Sequence, residues 1–380
     1  MFLFLNSHGP LIRGGRLALA GLALLAGGLA AEEVKWTSAQ EFAIEGKGWE
    51  KTPGPFARLP DTAQAKVSEV AWRLSGESAG LCVRFVTDAS EVSLRWSLTD
   101  ASLAMPHMPA TGCSGLDLYA RAADGSWKFQ GNARPFTTEG NVARIELAGS
   151  AAGDRECLVY LPAYNGTKSL EIGVPPANRV LPPPPRAEAL RQPVAVYGTS
   201  IVQGGCASRP GMLWTAILGR MLDRPVVNLG FSSAGTMLPP VGEVLAELDP
   251  AAYIMDCTWN MGDSEAVYLD RITQLVRAIR QARPQTPIVF VGQSHHRAEK
   301  HPTDLTRRQE AAVRHLQKEG VSGLTLVPGE DLIGSDGEGT VDGVHLNDLG
   351  MDRQAKALFP IIQRLLASAA KDAKKDDGPE

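Results

Sequence analysis

The sequence has few cysteines, and they form no metal-binding motif. Only five occur among 380 residues, and their spacing matches no zinc pattern: Cys82, Cys113, Cys157, Cys206 and Cys257. If the protein is exported, a disulfide could form. However, the number of cysteines is odd, and their pairing cannot be read from the sequence. Cys257 lies in an apolar strand pattern and is interpreted as a small core residue. We expect no metal ion and no cofactor.

Basic clusters and internal repeats are also missing. The formal net charge is -4, and no basic stretch is combined with aromatic side chains, which disfavours a nucleic-acid partner. Charged residues make up 21% and apolar residues 44% of the chain, as in an ordinary globular protein. The chain is long enough for two domains.

Only one apolar segment could interact with a membrane, and it is short. Arg13 and Arg16 precede the apolar residues 17–25, and small residues 26–31 come before Glu32. This pattern predicts an export signal, residues 1–31, that is removed; an uncleaved anchor is the alternative. No cysteine follows directly, so no lipid attachment is expected. The sequence predicts a secreted or periplasmic protein without stable membrane insertion after signal removal.

The first part of the mature chain has the pattern of short β-strands. Apolar and polar residues alternate, and Gly, Asp, Ser and Pro separate the runs, which predicts a β-sandwich or jelly roll over residues 32–178. The predicted strands are 71–74, 81–86, 91–98, 143–147, 156–161 and 170–174. Seven prolines lie between Pro175 and Pro193, so residues 179–192 are interpreted as a stiff linker.

Beyond the linker, strand and helix patterns alternate, which predicts a parallel sheet flanked by helices over residues 193–370. The predicted strands are 194–197, 225–229, 252–257, 287–291 and 324–327. The predicted helices are 212–222, 241–248, 264–282, 304–319 and 348–368. Residues 371–380 are charged and free of apolar side chains, so we expect a disordered tail.

Ser200 follows the first of these strands. The apolar run 194–197 ends at Gly198-Thr-Ser200, and a helical pattern begins near Arg209. A strand, a turn and a helix place Ser200 at the carboxyl edge of the sheet, where open α/β folds bind their ligands. Ser200 is a candidate nucleophile if a base can reach it. The alternative is a helix N-cap without chemistry.

His345 is the distinctive candidate base. It lies in Val341-Asp-Gly-Val-His-Leu just before the last helix, three residues after Asp342. That spacing lets the carboxylate bind one ring nitrogen while the other faces outward. The alternative is that Asp342 forms a turn and His345 packs. Two further histidines, His295 and His296, follow the fourth strand and could line a pocket.

Two loops at the same edge offer donors for an oxyanion. Gly230 follows the second strand and can present a backbone N–H, and Asn260 follows the third and carries an amide. In the alternative interpretation, Gly230 ends a strand and Asn260 caps a helix.

The order Ser200, Gly230, Asn260, then Asp342 with His345 resembles the four blocks of the SGNH (GDSL-type) hydrolases. The resemblance implies a flavodoxin-like three-layer α/β/α fold. It makes Ser200 the nucleophile and His345 the base, oriented by Asp342, and it assigns the oxyanion hole to Ser200, Gly230 and Asn260. The first block departs from the family pattern with Gly-Thr-Ser-Ile for Gly-Asp-Ser-Leu. The third reads Thr-Trp-Asn-Met for Gly-x-Asn-Asp.

A second motif lies in the first domain. Ser114-Gly-Leu-Asp-Leu-Tyr119 resembles the G-x-D-L-Y motif of a β-sandwich that precedes one SGNH branch. By analogy of fold, such enzymes act on acylated carbohydrate. We therefore expect a serine esterase acting on a small-molecule or polysaccharide ester, with acetyl favoured. A lipase or thioesterase and a non-catalytic carbohydrate-binding protein are the alternatives. No long apolar lid segment lies near the site, which disfavours long acyl chains.

Side chains near these blocks are candidate substrate contacts. They are Gln203, Trp259, His107, Met108, His295 and His296. The loop 105–113 is rich in proline and methionine, stiff and apolar. We predict that it forms one wall of the pocket above Ser200; packing against its own domain is the alternative.

Overall fold

The N-terminal part folds into strands because its apolar residues alternate. In the strand Glu91–Leu98, Val92, Leu94 and Trp96 are fully buried, since side chains with period two share one face. The computed structural model describes residues 33–148, 153–295 and 301–376; the predicted signal lies outside them. In chain order the strands of this part are β1 Lys35–Ser38, β2 Ile44–Glu45, β3 Cys82–Thr87, β4 Glu91–Leu98, β5 Leu116–Arg121, β6 Trp127–Ala133, β7 Asn141–Glu146, β8 Arg155–Tyr160, β9 Thr167–Val174 and β10 Val180–Leu181.

These strands form two antiparallel sheets. One has the order β1-β9-β4-β7, and the other has the order β10-β3-β8-β5-β6 with β2 paired to β3. Their facing side chains enclose an apolar core that includes Phe85, Trp96 and Ile172. The predicted β-sandwich is therefore present.

One predicted strand is wrong. Residues 71–74 belong to helix α1, Glu69–Leu74, which begins where the Ser68 side chain accepts a hydrogen bond from the Ala71 N–H. Four residues of alternating polarity also match one turn of an amphipathic helix, and the Ser cap decides the outcome. The other helices of this part are α2, Ala110–Cys113, and the 3-10 turns Ala39–Glu41 and Asp61–Ala63.

The proline-rich segment makes contacts with both domains. Its residues Val180–Leu181 form β10 on β3, and a 3-10 turn spans Glu188–Leu190. The Arg186 side chain binds Glu45 of β2 at 2.9 Å and Asp223 at 3.1 Å. The segment is thereby fixed to the sandwich and to the following domain.

The C-terminal part alternates strands and helices as its pattern predicts. Its strands are β11 Val194–Gly198, β12 Val226–Gly230, β13 Ala252–Asp256, β14 Ile288–Val291 and β15 Leu324–Val327. Its helices are α3 Ser200–Gln203, α4 Trp214–Leu222, α5 Pro239–Ala246, α6 Glu265–Ala282, α7 Asp304–Lys318 and α8 Asp348–Asp376, with 3-10 turns at Pro210–Met212 and Thr258–Asn260.

The five strands are all parallel in the order β12-β11-β13-β14-β15. Helices α5, α6 and α7 cover one face, and α4 and α8 cover the other. This is the flavodoxin-like three-layer arrangement, whose ligands bind where the strand order reverses. Gly198 pairs with Gly230 and with Asp256, so the segments after β11, β12 and β13 leave the sheet at one edge.

The G-x-D-L-Y motif joins the two domains. Asp117 is fully buried, and its Oδ2 accepts hydrogen bonds from the Arg209 guanidinium at 2.7 Å and the Gly211 N–H at 2.8 Å. The Tyr119 hydroxyl accepts from Arg209 at 2.8 Å. The motif therefore holds the loop that follows the first catalytic block.

Helix α8 continues to Asp376, so the predicted disordered tail is wrong for residues 371–376; residues 377–380 lie outside the description. Among the described residues, no helix combines the length and apolar character that a membrane span needs.

Candidate active site

Ser200, His345 and Asp342 form a continuous chain of hydrogen bonds. The Ser200 Oγ lies 2.9 Å from Nε2 of His345, and Nδ1 of His345 lies 2.7 Å from Oδ2 of Asp342. With Asp342 accepting the Nδ1 proton, Nε2 is left unprotonated and accepts from the serine hydroxyl. The structure thus brings together the three residues that the sequence singled out as nucleophile, base and orienting carboxylate.

Local geometry fixes each of these residues. Thr199 is the N-cap of α3, and its side chain accepts from the Ile201 N–H, so Ser200 occupies the first helical position beside the sheet. Gly198 has to be glycine because a Cβ there would lie 2.3 Å from the Asp256 carbonyl oxygen. In the other loop, Gly343 adopts φ 91°, a left-handed conformation that glycine adopts without strain.

The carboxylate is held ionised. Partial burial alone raises the pKa of Asp342, but hydrogen bonds from the His345 ring and from the backbone N–H groups of His345 and Val344 lower it to about 2. The same backbone contacts form the turn that the alternative interpretation proposed for Asp342. The Asp342 carboxylate therefore forms the turn and orients the His345 ring at the same time.

Asn260 ends the 3-10 turn after β13, and its N–H donates to Cys257 at 2.9 Å. Its side-chain oxygen is buried without a hydrogen-bond partner. Its side-chain nitrogen also has no hydrogen-bond partner within the described part of the chain. The amide thus keeps its hydrogen-bonding capacity at the edge where Ser200 lies.

Gly230 requires a correction. Its N–H donates to Oδ1 of Asn228 at 2.9 Å, and a Cβ at this position would lie 2.0 Å from the Gln203 nitrogen. The glycine is needed for close packing against α3, and its N–H is not available to an oxyanion.

A different backbone donor lies three residues further on. Ser233 is exposed and adopts φ 59°, which is uncommon for a residue with a side chain. The N–H groups of its neighbours Ser232, Ala234 and Gly235 are bonded within the protein, whereas that of Ser233 has no partner among the described residues. This donor could not be predicted from the residue type, because a serine in the sequence does not indicate a positive φ.

The loop 105–108 reaches the catalytic histidine. The His107 ring lies edge-on to the His345 ring, with centroids 5.4 Å apart. Met105 and Met108 exchange backbone hydrogen bonds of 2.9 and 3.1 Å, and the Met108 side chain is buried in the core shared with α4 and β11. His107 therefore borders the site, and Met108 anchors the loop without facing a substrate.

The other predicted substrate contacts have different environments. Gln203 is fully buried; it donates to Glu77 and accepts from the Ser232 N–H at 2.8 Å, so its assignment as a substrate contact is corrected to a structural one. Trp259 and His295 stack with centroids 5.5 Å apart. His296 lies outside the described residues.

Arg58, from the sandwich, supports the loop after β12 and was missed by sequence reasoning. Its buried guanidinium donates to the carbonyl oxygens of Gly230 at 2.7 Å and Asn228 at 3.2 Å. Two further bonds of 2.8 Å bind the carbonyls of Leu74 and Glu77. No motif or spacing relates Arg58 to a loop about 170 residues away.

Comparisons with known proteins agree with this architecture. Residues 191–363 match the GDSL-like Lipase/Acylhydrolase family, and residues 34–180 match the family described as "N-terminus of Esterase_SGNH_hydro-type". A crystal structure described as a GDSL-like lipase from Bacteroides ovatus is 32% identical, with a TM-score of 0.79, and the match covers 88% of this chain and 98% of that one. The chain belongs to the GDSL-like SGNH hydrolases. It is thus an ester hydrolase.

More distant structures share the fold. The salicylyl-acyltransferase SsfX3 from a tetracycline biosynthetic pathway is 15% identical, with a TM-score of 0.68, covering 86% of this chain and 94% of that one. A family two carbohydrate esterase from Clostridium thermocellum is 14% identical, with a TM-score of 0.53, covering 76% and 93%. None of the curated proteins matches the chain.

Proposed function

We propose that this SGNH hydrolase is a secreted serine esterase that removes acetyl or similarly small acyl groups from a carbohydrate. The observation that carries the proposal is the hydrogen-bonded chain from Ser200 through His345 to Asp342, with distances of 2.9 and 2.7 Å. The export signal predicted at residues 1–31 supports secretion. The fold shared with a carbohydrate esterase supports the substrate class.

The reaction proceeds in two steps through an acyl-enzyme. Ser200 Oγ attacks the ester carbonyl while Nε2 of His345 accepts its proton, and the ionised Asp342 stabilises the resulting imidazolium. His345 then gives the proton to the departing sugar alkoxide. In the second step a water molecule, deprotonated by His345, attacks the acyl-enzyme, and the acid leaves as Ser200 regains its proton.

The oxyanion is held by donors from three segments at the sheet edge. They are the Ser200 N–H at the start of α3, the Asn260 amide, and the Ser233 N–H in place of that of Gly230. Fixed donors at this position stabilise the tetrahedral charge without reorganisation. No step requires a metal or cofactor.

A carbohydrate substrate is supported by the residues around the site. His107 borders His345, and the Trp259–His295 pair lies after β13 and β14, at the carboxyl edge. Partly exposed aromatic rings suit the faces of sugar rings. The intact hydrogen-bonded chain argues against a non-catalytic binding protein. The sequence has no long apolar lid segment near the site, which argues against a lipase for long acyl chains.

Acetate release from a panel of acetylated polysaccharides tests the proposal, with wild type compared with Ser200→Ala. We expect release from at least one polysaccharide by the wild type alone. Equal release by Ser200→Ala would reject the serine mechanism. Hydrolysis of p-nitrophenyl acetate without release from any polysaccharide would reject the carbohydrate substrate and keep the esterase.

A further inference from the structure

The histidine at the centre of the site has two other metal-ligating side chains beside it. The ligand atoms of His107, Cys206 and His345 all lie within 4.8 Å of one another. His107 comes from the sandwich, and the other two come from different loops of the catalytic domain. Cys206 is kept near His345 by its backbone, because its N–H donates to the Leu346 carbonyl at 2.7 Å.

The donor set suits a thiophilic divalent cation. Two imidazoles and one thiolate are ligands typical of Zn²⁺, at about 2.0–2.3 Å from the ion, which places ligand atoms in a tetrahedral site about 3.3–3.8 Å apart. The existing separations, which are at most 4.8 Å, exceed this range by no more than about 1 Å. His107 is exposed on a loop tip, so a rotation of its side chain can close the gap. The fourth position stays open to water.

The surroundings of the three ligands favour a cation. Nδ1 of His345 is bound to Asp342 at 2.7 Å, which directs Nε2 away from the carboxylate; metal-binding histidines are commonly oriented by a carboxylate in this way. The Cys206 side chain is buried, and its sulfur has no hydrogen-bond partner among the described residues. No existing bond of the thiol has to be broken to bind a metal.

We propose that His107, Cys206 and His345 form an inhibitory binding site for Zn²⁺ or a chemically similar divalent cation. On binding, the Cys206 thiol releases its proton to solvent, and Sγ, a His107 ring nitrogen and Nε2 of His345 each donate a lone pair to the ion. No atom is oxidised or reduced. The hydrogen bond from Ser200 to Nε2 breaks, so the base is blocked. The inhibition rests on the proposed serine mechanism, whereas the binding itself does not.

Titration with Co²⁺ tests the site without relying on activity, because a cobalt–thiolate bond gives an intense charge-transfer absorption. We expect this absorption in the wild type and in Ser200→Ala, and we expect its loss in Cys206→Ser. Cys113→Ser is the matched control, since Cys113 is also buried nearby, and it should keep the absorption. No absorption in the wild type, or equal absorption in Cys206→Ser, would overturn the proposal.

Zn²⁺ inhibition of p-nitrophenyl acetate hydrolysis provides the second measurement. The Zn²⁺ concentration for half inhibition should rise at least tenfold in His107→Ala, whose exposed side chain can be removed without disturbing the core. EDTA should restore full activity to the inhibited enzyme and should not lower the activity of the metal-free enzyme. Unchanged inhibition in His107→Ala would overturn the three-ligand site. If the wild type has no esterase activity, the cobalt absorption still decides whether the site exists.

Discussion

The Arg58 guanidinium, which belongs to the sandwich, donates to the Gly230 carbonyl oxygen of the catalytic domain at 2.7 Å. Arg58 is almost completely buried, and burial lowers its pKa to about 10, so it remains charged at neutral pH. It also lies over the Phe231 ring at 4.6 Å. The loop that carries Ser233 is therefore supported by the other domain.

Arg58→Met should destabilise the protein and reduce its activity together. The substitution keeps much of the volume but leaves buried carbonyl oxygens without donors and removes a positive charge that lowers the pKa of Glu77. The free energy of unfolding should fall by about 3–5 kcal/mol, as when one partner of a buried charged network is removed. Urea unfolding and kcat measure the two effects. Arg73→Met, which replaces an exposed arginine of helix α1, should change neither; a stable, fully active Arg58→Met would contradict the supporting role.

Ser200→Ala and His345→Ala should each lower kcat by roughly three to six orders of magnitude. The double variant should lose little more, because the two residues act as a unit. Steady-state kinetics on p-nitrophenyl acetate give the values, and thermal unfolding checks that the fold is kept. Losses that simply sum would show that the two residues act independently.

Variants of Asn260 and Gly230 should differ in their effects on kcat and on stability. Asn260→Ala should lower kcat about 10²–10³-fold with little change in stability, because one donor to the oxyanion is lost. Gly230→Ala should instead lower the melting temperature, since its Cβ would lie 2.0 Å from the Gln203 nitrogen. A Gly230→Ala variant with an unchanged melting temperature would contradict the packing role of Gly230.

Glu77 should make stability depend on pH. Burial raises its pKa from 4.5 to about 7, against the opposing effects of Arg58, Arg73 and a hydrogen bond from Gln203; Asp100 raises it further. The folded state therefore prefers the protonated carboxyl. Its contribution to stability is fully present below about pH 4.5 and is lost as the pH rises through about 7.

Glu77→Gln should flatten this dependence, because the amide cannot ionise. Urea midpoints at several pH values between 4.5 and 8 measure it for both proteins. Burial also raises the pKa of Asp256 to about 7. Asp256 is still present in the variant, so its contribution to the pH dependence of stability remains. Identical slopes in wild type and variant would contradict the assignment to Glu77.

His107→Ala should raise KM for a carbohydrate ester more than it lowers kcat, since the ring borders the site but is not bonded to Ser200. Stability should not change, because the side chain is exposed. His315→Ala, an exposed histidine of α7, is the matched control and should behave as wild type. An unchanged KM would mean that the loop does not contact the substrate.

The sequence predicted most of the framework because the relevant signals are local. Alternation located β4 at its observed bounds, and apolar runs between turn residues located β11 and β15. The short spacing between Asp342 and His345 predicted the geometry that the structure shows, since three residues of loop suffice to place a carboxylate on a ring nitrogen.

The site predictions that were wrong assigned a role to one group where a neighbouring group determines the outcome. The Gly230 N–H is not free because the Asn228 side chain, two residues earlier, accepts its hydrogen bond. The positive φ of Ser233 occurs in a turn whose neighbouring N–H groups are bonded within the protein. Gln203 lies beside the nucleophile in sequence, yet its side chain points into the domain junction. Contacts such as Arg58 with Gly230 arise only when two domains pack, so no local pattern records them.

The proline-rich segment also determines how the protein responds to a protease. Arg186 binds Glu45 and Asp223, and Asp117 binds Arg209 across the same junction. A chain cleaved by trypsin after the exposed Arg191 should therefore stay together as a non-covalent pair of fragments that migrates as one species in gel filtration. An enzyme built in this way can be nicked and still remain assembled around Ser200.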